Sequence, residues 1–157
     1  MGKIRLIFIS LISLLILLTL GFIWGNSILS ISQSSNRSGS LFLTFKPIFD
    51  VIFGEGVVTH AVFRKLAHFS EFFVLGVEIF TLLILLRISL TENLTYSLVF
   101  GLFFAVSDET LQVISRRGSS FLDVLIDFSG VLLAVLILFL VFKTFYKKNK
   151  KPLEMNI

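Results

Sequence analysis

Cysteine is absent, which excludes a disulfide framework, a thiolate nucleophile and a thiolate metal ligand. Charge is scarce as well: 15% of the residues are charged, and only ten are acidic. Histidine occurs twice, and His60 reads as a loop residue, which leaves His68 as the one helical imidazole. No segment repeats another. What the chain has in excess is apolar: 55% hydrophobic residues, 19 phenylalanines and a mean hydropathy of +0.96. That composition lies well outside the soluble range and indicates an integral membrane protein. At 157 residues it forms one domain, 1–157. The net charge of +4 suits loops that touch anionic headgroups. It does not indicate nucleic acid, because the basic residues gather at the ends of apolar runs, where topology and snorkelling account for them.

A hydrocarbon core of roughly 30 Å requires about 20 helical residues. Four runs meet that length: Leu6–Trp24, Leu66–Leu86, Leu94–Ile114 and Phe121–Phe145. The first follows Lys3 and Arg5, as a signal peptide would, but it is longer than a signal's apolar region and Trp24-Gly25-Asn26-Ser27 offers no small-x-small cleavage site. It therefore reads as a retained span. Ser30–Ser40 reads as a serine-rich loop. Leu41–Phe53 is too short and broken to cross, with Pro47 at its start, and is expected as an interfacial or re-entrant helix. Glu92 and Asn93 fall in the turn between the second and third spans. The fold class is thus all-α, with four transmembrane helices and one interfacial or re-entrant segment between the first two. Lys3, Arg5, Arg87, Lys143 and the tail lysines outweigh Arg37, Lys46, Arg64, Lys65, Arg116 and Arg117, which predicts a multi-pass cell-membrane protein with both termini cytoplasmic.

This topology carries three polar clusters to one face of the membrane. The first is Arg64, Lys65, His68 and Glu71; the second is Asp108, Glu109 and Gln112; the third is Arg116, Arg117, Ser119, Ser120, Asp123 and Asp127. Ionisable groups at membrane depth are unfavourable by roughly 2.5–3.5 kcal/mol each on insertion scales, so they mark a functional site by default. Arg64, His68 and Glu71 recur at i, i+4, i+7 and share a stripe; Asp108 with Gln112, and Asp123 with Asp127, are i, i+4 pairs. Gly130 and Ala134 form a small-xxx-small pair that permits close helix approach.

The strings RKLAHFSEF, DETLQ and RRGSSFLDVLIDFSG resemble the VanZ-like family of bacterial integral membrane proteins. Lys65, His68, Glu71, Asp108, Glu109, Gln112, Arg117, Ser120, Asp123 and Gly130 fall on the family's motif positions. Asp127 departs from it, standing where the family more often has Asn. The resemblance implies a bacterial cell-envelope protein associated with resistance to teicoplanin-type glycopeptides.

Several chemistries fit these residues. His68, Glu71, Asp108, Glu109 and Asp123 are the acid/base candidates of a lipid-phosphate hydrolase or transferase. Arg64, Lys65, Gln112, Arg116, Arg117, Ser120 and Asp127 are the ligand-binding candidates, and Gly118-Ser119-Ser120 at a helix start favours an anion. A carboxylate-rich site with one histidine also suits a divalent cation such as Mg²⁺, Ca²⁺ or Mn²⁺. The expected partners are membrane lipids, a lipid-linked envelope precursor or glycopeptide, and a second copy of the chain. Against these stand a closed ion-pair network that pins three helices, a non-catalytic protein that modifies envelope access, and a small transporter.

Overall fold

The computed structural model describes residues 2–116 and 120–149. They form five helices and no strand: α1 (Lys3–Ser27), α2 (Ile31–Phe53), α3 (His60–Leu85), α4 (Leu90–Ile114) and α5 (Phe121–Asn149). Helices α1, α3, α4 and α5 are long and apolar enough to cross a membrane. Leu17, Phe103 and Leu140 on their outer faces are exposed, the all-round hydrophobicity of helices solvated by lipid.

Helix α3 is the hub, in contact with the other four, and α5 is its principal partner. Glycine makes this contact possible. A Cβ on Gly130 would lie 2.3 Å from the Phe69 carbonyl oxygen, and one on Gly76 would lie 3.0 Å from Val131 Cα. The two backbones therefore touch, as small residues allow where no hydrophobic effect drives helices together. Gly101 of α4 opens a slot for Val131 in the same layer. Phe72, Leu75, Phe80, Val131 and Val135 fill the core, joined by Leu20 and Ile23 of α1.

Helix starts follow ordinary capping chemistry. Thr59 caps α3, and Ser89 forms a reciprocal box with Glu92 at α4. At the other end of α3, Arg87 takes φ 62° and the Ile88 amide reaches back to the Leu83 carbonyl at 3.1 Å. This is a Schellman turn in which arginine holds the place usually taken by glycine.

Four sequence-based expectations are corrected. Ser30–Ser40 is not a loop: it is the first half of a continuous α2, started by a Ser30/Gln33 capping box. Within it Ser38 Oγ donates to the Ser34 carbonyl one turn earlier at 2.8 Å, a bond made without leaving helical geometry. Pro47 accordingly lies well inside this helix rather than at its start. His60 is the first residue of α3, with Nε2 2.9 Å from Ser38 Oγ. Glu92 and Asn93 lie within α4, not the turn; Asn93 is fully buried, donates from Nδ2 to the Phe80 carbonyl at 3.1 Å and accepts from Ser97 Oγ.

Helix α2 buries none of its residues. It leans on α3 through Phe42 and Phe49, which meet the Phe63 ring. The turn that joins them is fastened by Asp50, which pairs with Lys46 and accepts the Gly56 amide at 3.1 Å. The Lys46 hydrogen bond, then the Gly56 amide, hold the Asp50 carboxyl below its ordinary range; the bond to Asp50 raises Lys46.

Candidate functional site

The bundle end formed by the close of α1 and α4 and the start of α3 and α5 gathers the ionisable side chains. Helical spacing sets their directions. One turn of α3 separates Arg64 from His68, and one turn of α5 separates Asp123 from Asp127, so each pair looks the same way. The Gly130 crossing then brings α5 against α3, and His68 Nδ1 comes within 3.5 Å of Asp127 Oδ1 and 4.0 Å of Asp108 Oδ2.

Asp108 is fully buried and held on both oxygens: Ser27 Oγ donates to Oδ1 at 2.6 Å, and Gln112 Nε2 donates to Oδ2 at 2.9 Å. Gln112 Nε2 also reaches Glu109 Oε1 at 3.0 Å, while the Ser120 amide donates to Glu109 Oε2 at 3.3 Å. That amide opens α5, where an external anion was expected; here the protein's own carboxylate takes it. Asp127 differs from both. It is 1% exposed, and neither carboxylate oxygen has a hydrogen-bond partner among the described residues. Asp108, Glu109, Glu71 and Asp123 all lie within electrostatic reach of it.

A cavity of about 280 Å³ opens beside this cluster, between α2, α3, α4 and α5. Arg64, Lys65, His68, Glu109, Gln112, Asp123 and Asp127 supply its polar lining; Ile31, Ala61 and Ile126 supply apolar wall. A smaller space of about 140 Å³ lies across His68 and contains Arg37, Arg64 and Glu71. Glu71 thus faces Arg37, which acts on it electrostatically, rather than the larger cavity. Arg116 is exposed in the left-handed conformation, φ 56°, and lines neither space. Arg117, Gly118 and Ser119 lie outside the described residues.

Sequence reasoning missed three contributors. Ser27 is fully buried against Asp108, and Ser34 and Arg37 of α2 line the two spaces. A serine at the end of an apolar run carries no pattern that would name its partner. The α2 residues became visible only once their segment was known to be helical.

Four apolar helices with an ionisable cluster buried at one end define a multi-pass α-helical membrane protein. The profile of the VanZ/LLP1 family matches residues 7–143, most of the chain, and the protein belongs to that family. No curated protein and no solved structure matches it.

Proposed function

We propose that the larger cavity is a headgroup site in the outer half of the membrane, with both termini cytoplasmic, and that it takes the phosphate-bearing head of an amphipathic envelope lipid. One observation carries this reading: Arg64 and Lys65 stand at a cavity whose remaining wall is partly apolar, through Ile31, Ala61 and Ile126. Guanidinium and ammonium groups supply charge-assisted hydrogen bonds to a phosphate, while the apolar wall suits the first carbons of a lipid chain. A closed ion-pair network is the poorer account, because Asp127, although it stands 3.5 Å from His68 Nδ1, is buried and accepts no hydrogen bond among the described residues, so that pairing leaves it incompletely satisfied. A physiological role in teicoplanin-type glycopeptide resistance is what the resemblance of the RKLAHFSEF, DETLQ and RRGSSFLDVLIDFSG strings implies.

The test is binding of the purified protein to phosphatidylcholine vesicles that contain a polyprenyl monophosphate. Wild type is expected to bind them in preference to undoped vesicles, and Arg64→Glu to lose about tenfold in affinity, which corresponds to about 1.4 kcal/mol. Equal binding by the two folded proteins removes the headgroup reading. Release of inorganic phosphate from the same lipid, abolished in His68→Ala, marks a hydrolase; binding without release marks a non-catalytic envelope protein. Loss of teicoplanin resistance in Asp108→Asn at unchanged abundance ties the site to the cellular role.

A further inference from the structure

We propose that His68, Asp108 and Asp127 hold one divalent transition-metal cation through His68 Nδ1 and one carboxylate oxygen from each aspartate. These three donor atoms lie within 4.8 Å of one another. They come from three different helices: α3 and α5 touch at Gly130, and α4 meets α5 where Gly101 receives Val131.

The distances suit a shared ion better than a hydrogen bond. His68 Nδ1 is 3.5 Å from Asp127 Oδ1 and 4.0 Å from Asp108 Oδ2. Both exceed the 2.7–3.2 Å range of N–H···O bonds, and one ring nitrogen has one proton to offer. Around a metal with bonds of about 2.1 Å, neighbouring donors are separated by about 3.0–3.4 Å. A contraction of a few tenths of an ångström on the Asp127 side, and more on the Asp108 side and between the two carboxylates, whose donor atoms lie within 4.8 Å, would bring the trio onto an ion.

Asp127 supplies the independent observation. It is 1% exposed, with no hydrogen-bond partner on either oxygen among the described residues, and it sits in the wall of the cavity. Buried carboxylates are paired or bind metal. Two carboxylates and a neutral imidazole also balance a doubly charged ion, which a low-dielectric interior favours. The surroundings resemble the outer shell of a metal centre: Ser27 and Gln112 donate to Asp108 and fix its orientation. Three protein ligands leave coordination positions open toward the cavity. An imidazole beside two carboxylates suits Mn²⁺ or Zn²⁺ better than Ca²⁺, which prefers six to eight oxygens.

This inference stands apart from the headgroup reading, and its test contains no lipid phosphate. The full chain is purified in detergent micelles, stripped with chelator and titrated with Mn²⁺ under electron paramagnetic resonance. Wild type is expected to bind one ion per chain and to show ¹⁴N modulation from a directly bound imidazole. That modulation should vanish in His68→Gln. Asp127→Asn, nearly identical in shape, should weaken binding at least tenfold, whereas Glu55→Gln at an exposed turn should leave it unchanged. Absence of bound Mn²⁺ in the wild type, or bound ion without nitrogen modulation, overturns the proposal. So does wild-type affinity in Asp127→Asn. The wild-type measurement decides the matter alone should a variant fail to fold.

Discussion

Ser27 is the residue through which α1 takes part in the site. Its hydroxyl donates to Asp108 Oδ1 at 2.6 Å, and both residues are fully buried. A hydrogen bond to a charged, buried acceptor contributes about 1.5–3 kcal/mol, and outer-shell partners of metal ligands shift metal affinity about 10–100-fold. Ser27→Ala should therefore lower the thermal midpoint and weaken Mn²⁺ binding by about tenfold. A titration beside a melting curve checks both, and unchanged affinity would detach Ser27 from the metal. At this scale the sequence was legible where a residue lay on a helical stripe. Arg64 and His68, or Asp123 and Asp127, could be aligned by counting. Ser27 could not, because its partner stands 81 positions away and a single hydroxyl at the end of an apolar run belongs to no periodic pattern.

Among the elements, the α3–α5 contact sets the geometry of the cluster. Gly130 lies less than one turn beyond Asp127 on α5, and Phe69 immediately follows His68 on α3. A methyl group at Gly130 would stand 2.3 Å from the Phe69 carbonyl oxygen, a backbone atom that cannot turn aside. Gly130→Ala should destabilise by about 1–3 kcal/mol, the ordinary cost of overpacking, and should impair the site because the two helices must separate. Gly21→Ala is the control: nothing lies within 4 Å of its added carbon. A detergent melting series comparing the two variants tests this, and equal midpoints would show that the crossing tolerates a side chain. The four spans could be read in advance because bilayer thickness fixes a length that few other constraints imitate. Helix α2 could not, since serine favours turns and caps when taken alone, and the Ser30/Gln33 capping box that starts the helix is seen only in the structure.

At the scale of the whole molecule, the helix junctions fall into two groups at opposite ends of the bundle. The α4–α5 junction and the α1–α2 junction share one end of the bundle; Arg5 and the α3–α4 turn share the other, where Arg5 Nε donates to the Leu85 carbonyl at 2.6 Å. The absence of native cysteine makes the orientation directly measurable. With both termini cytoplasmic, a cysteine at Ser35 should react with an impermeant maleimide on intact cells, and one at Asn149 should react only after lysis. The reverse pattern would put the cavity on the cytoplasmic side and remove the outer-leaflet reading while leaving the metal proposal intact.

The thin packing of α2 has a thermodynamic consequence for that cavity. Ile31 and Ser34 form part of its wall, yet no residue of their helix is buried. Segments with so few buried contacts open locally at a small fraction of the global unfolding free energy. Backbone amides of α2 should therefore exchange with deuterium well before those around Phe72 and Leu75 of α3. The wall can be lost and restored many times during the life of the folded bundle, so the residence time of an occupant is governed by this local equilibrium and not by the stability of the four spans.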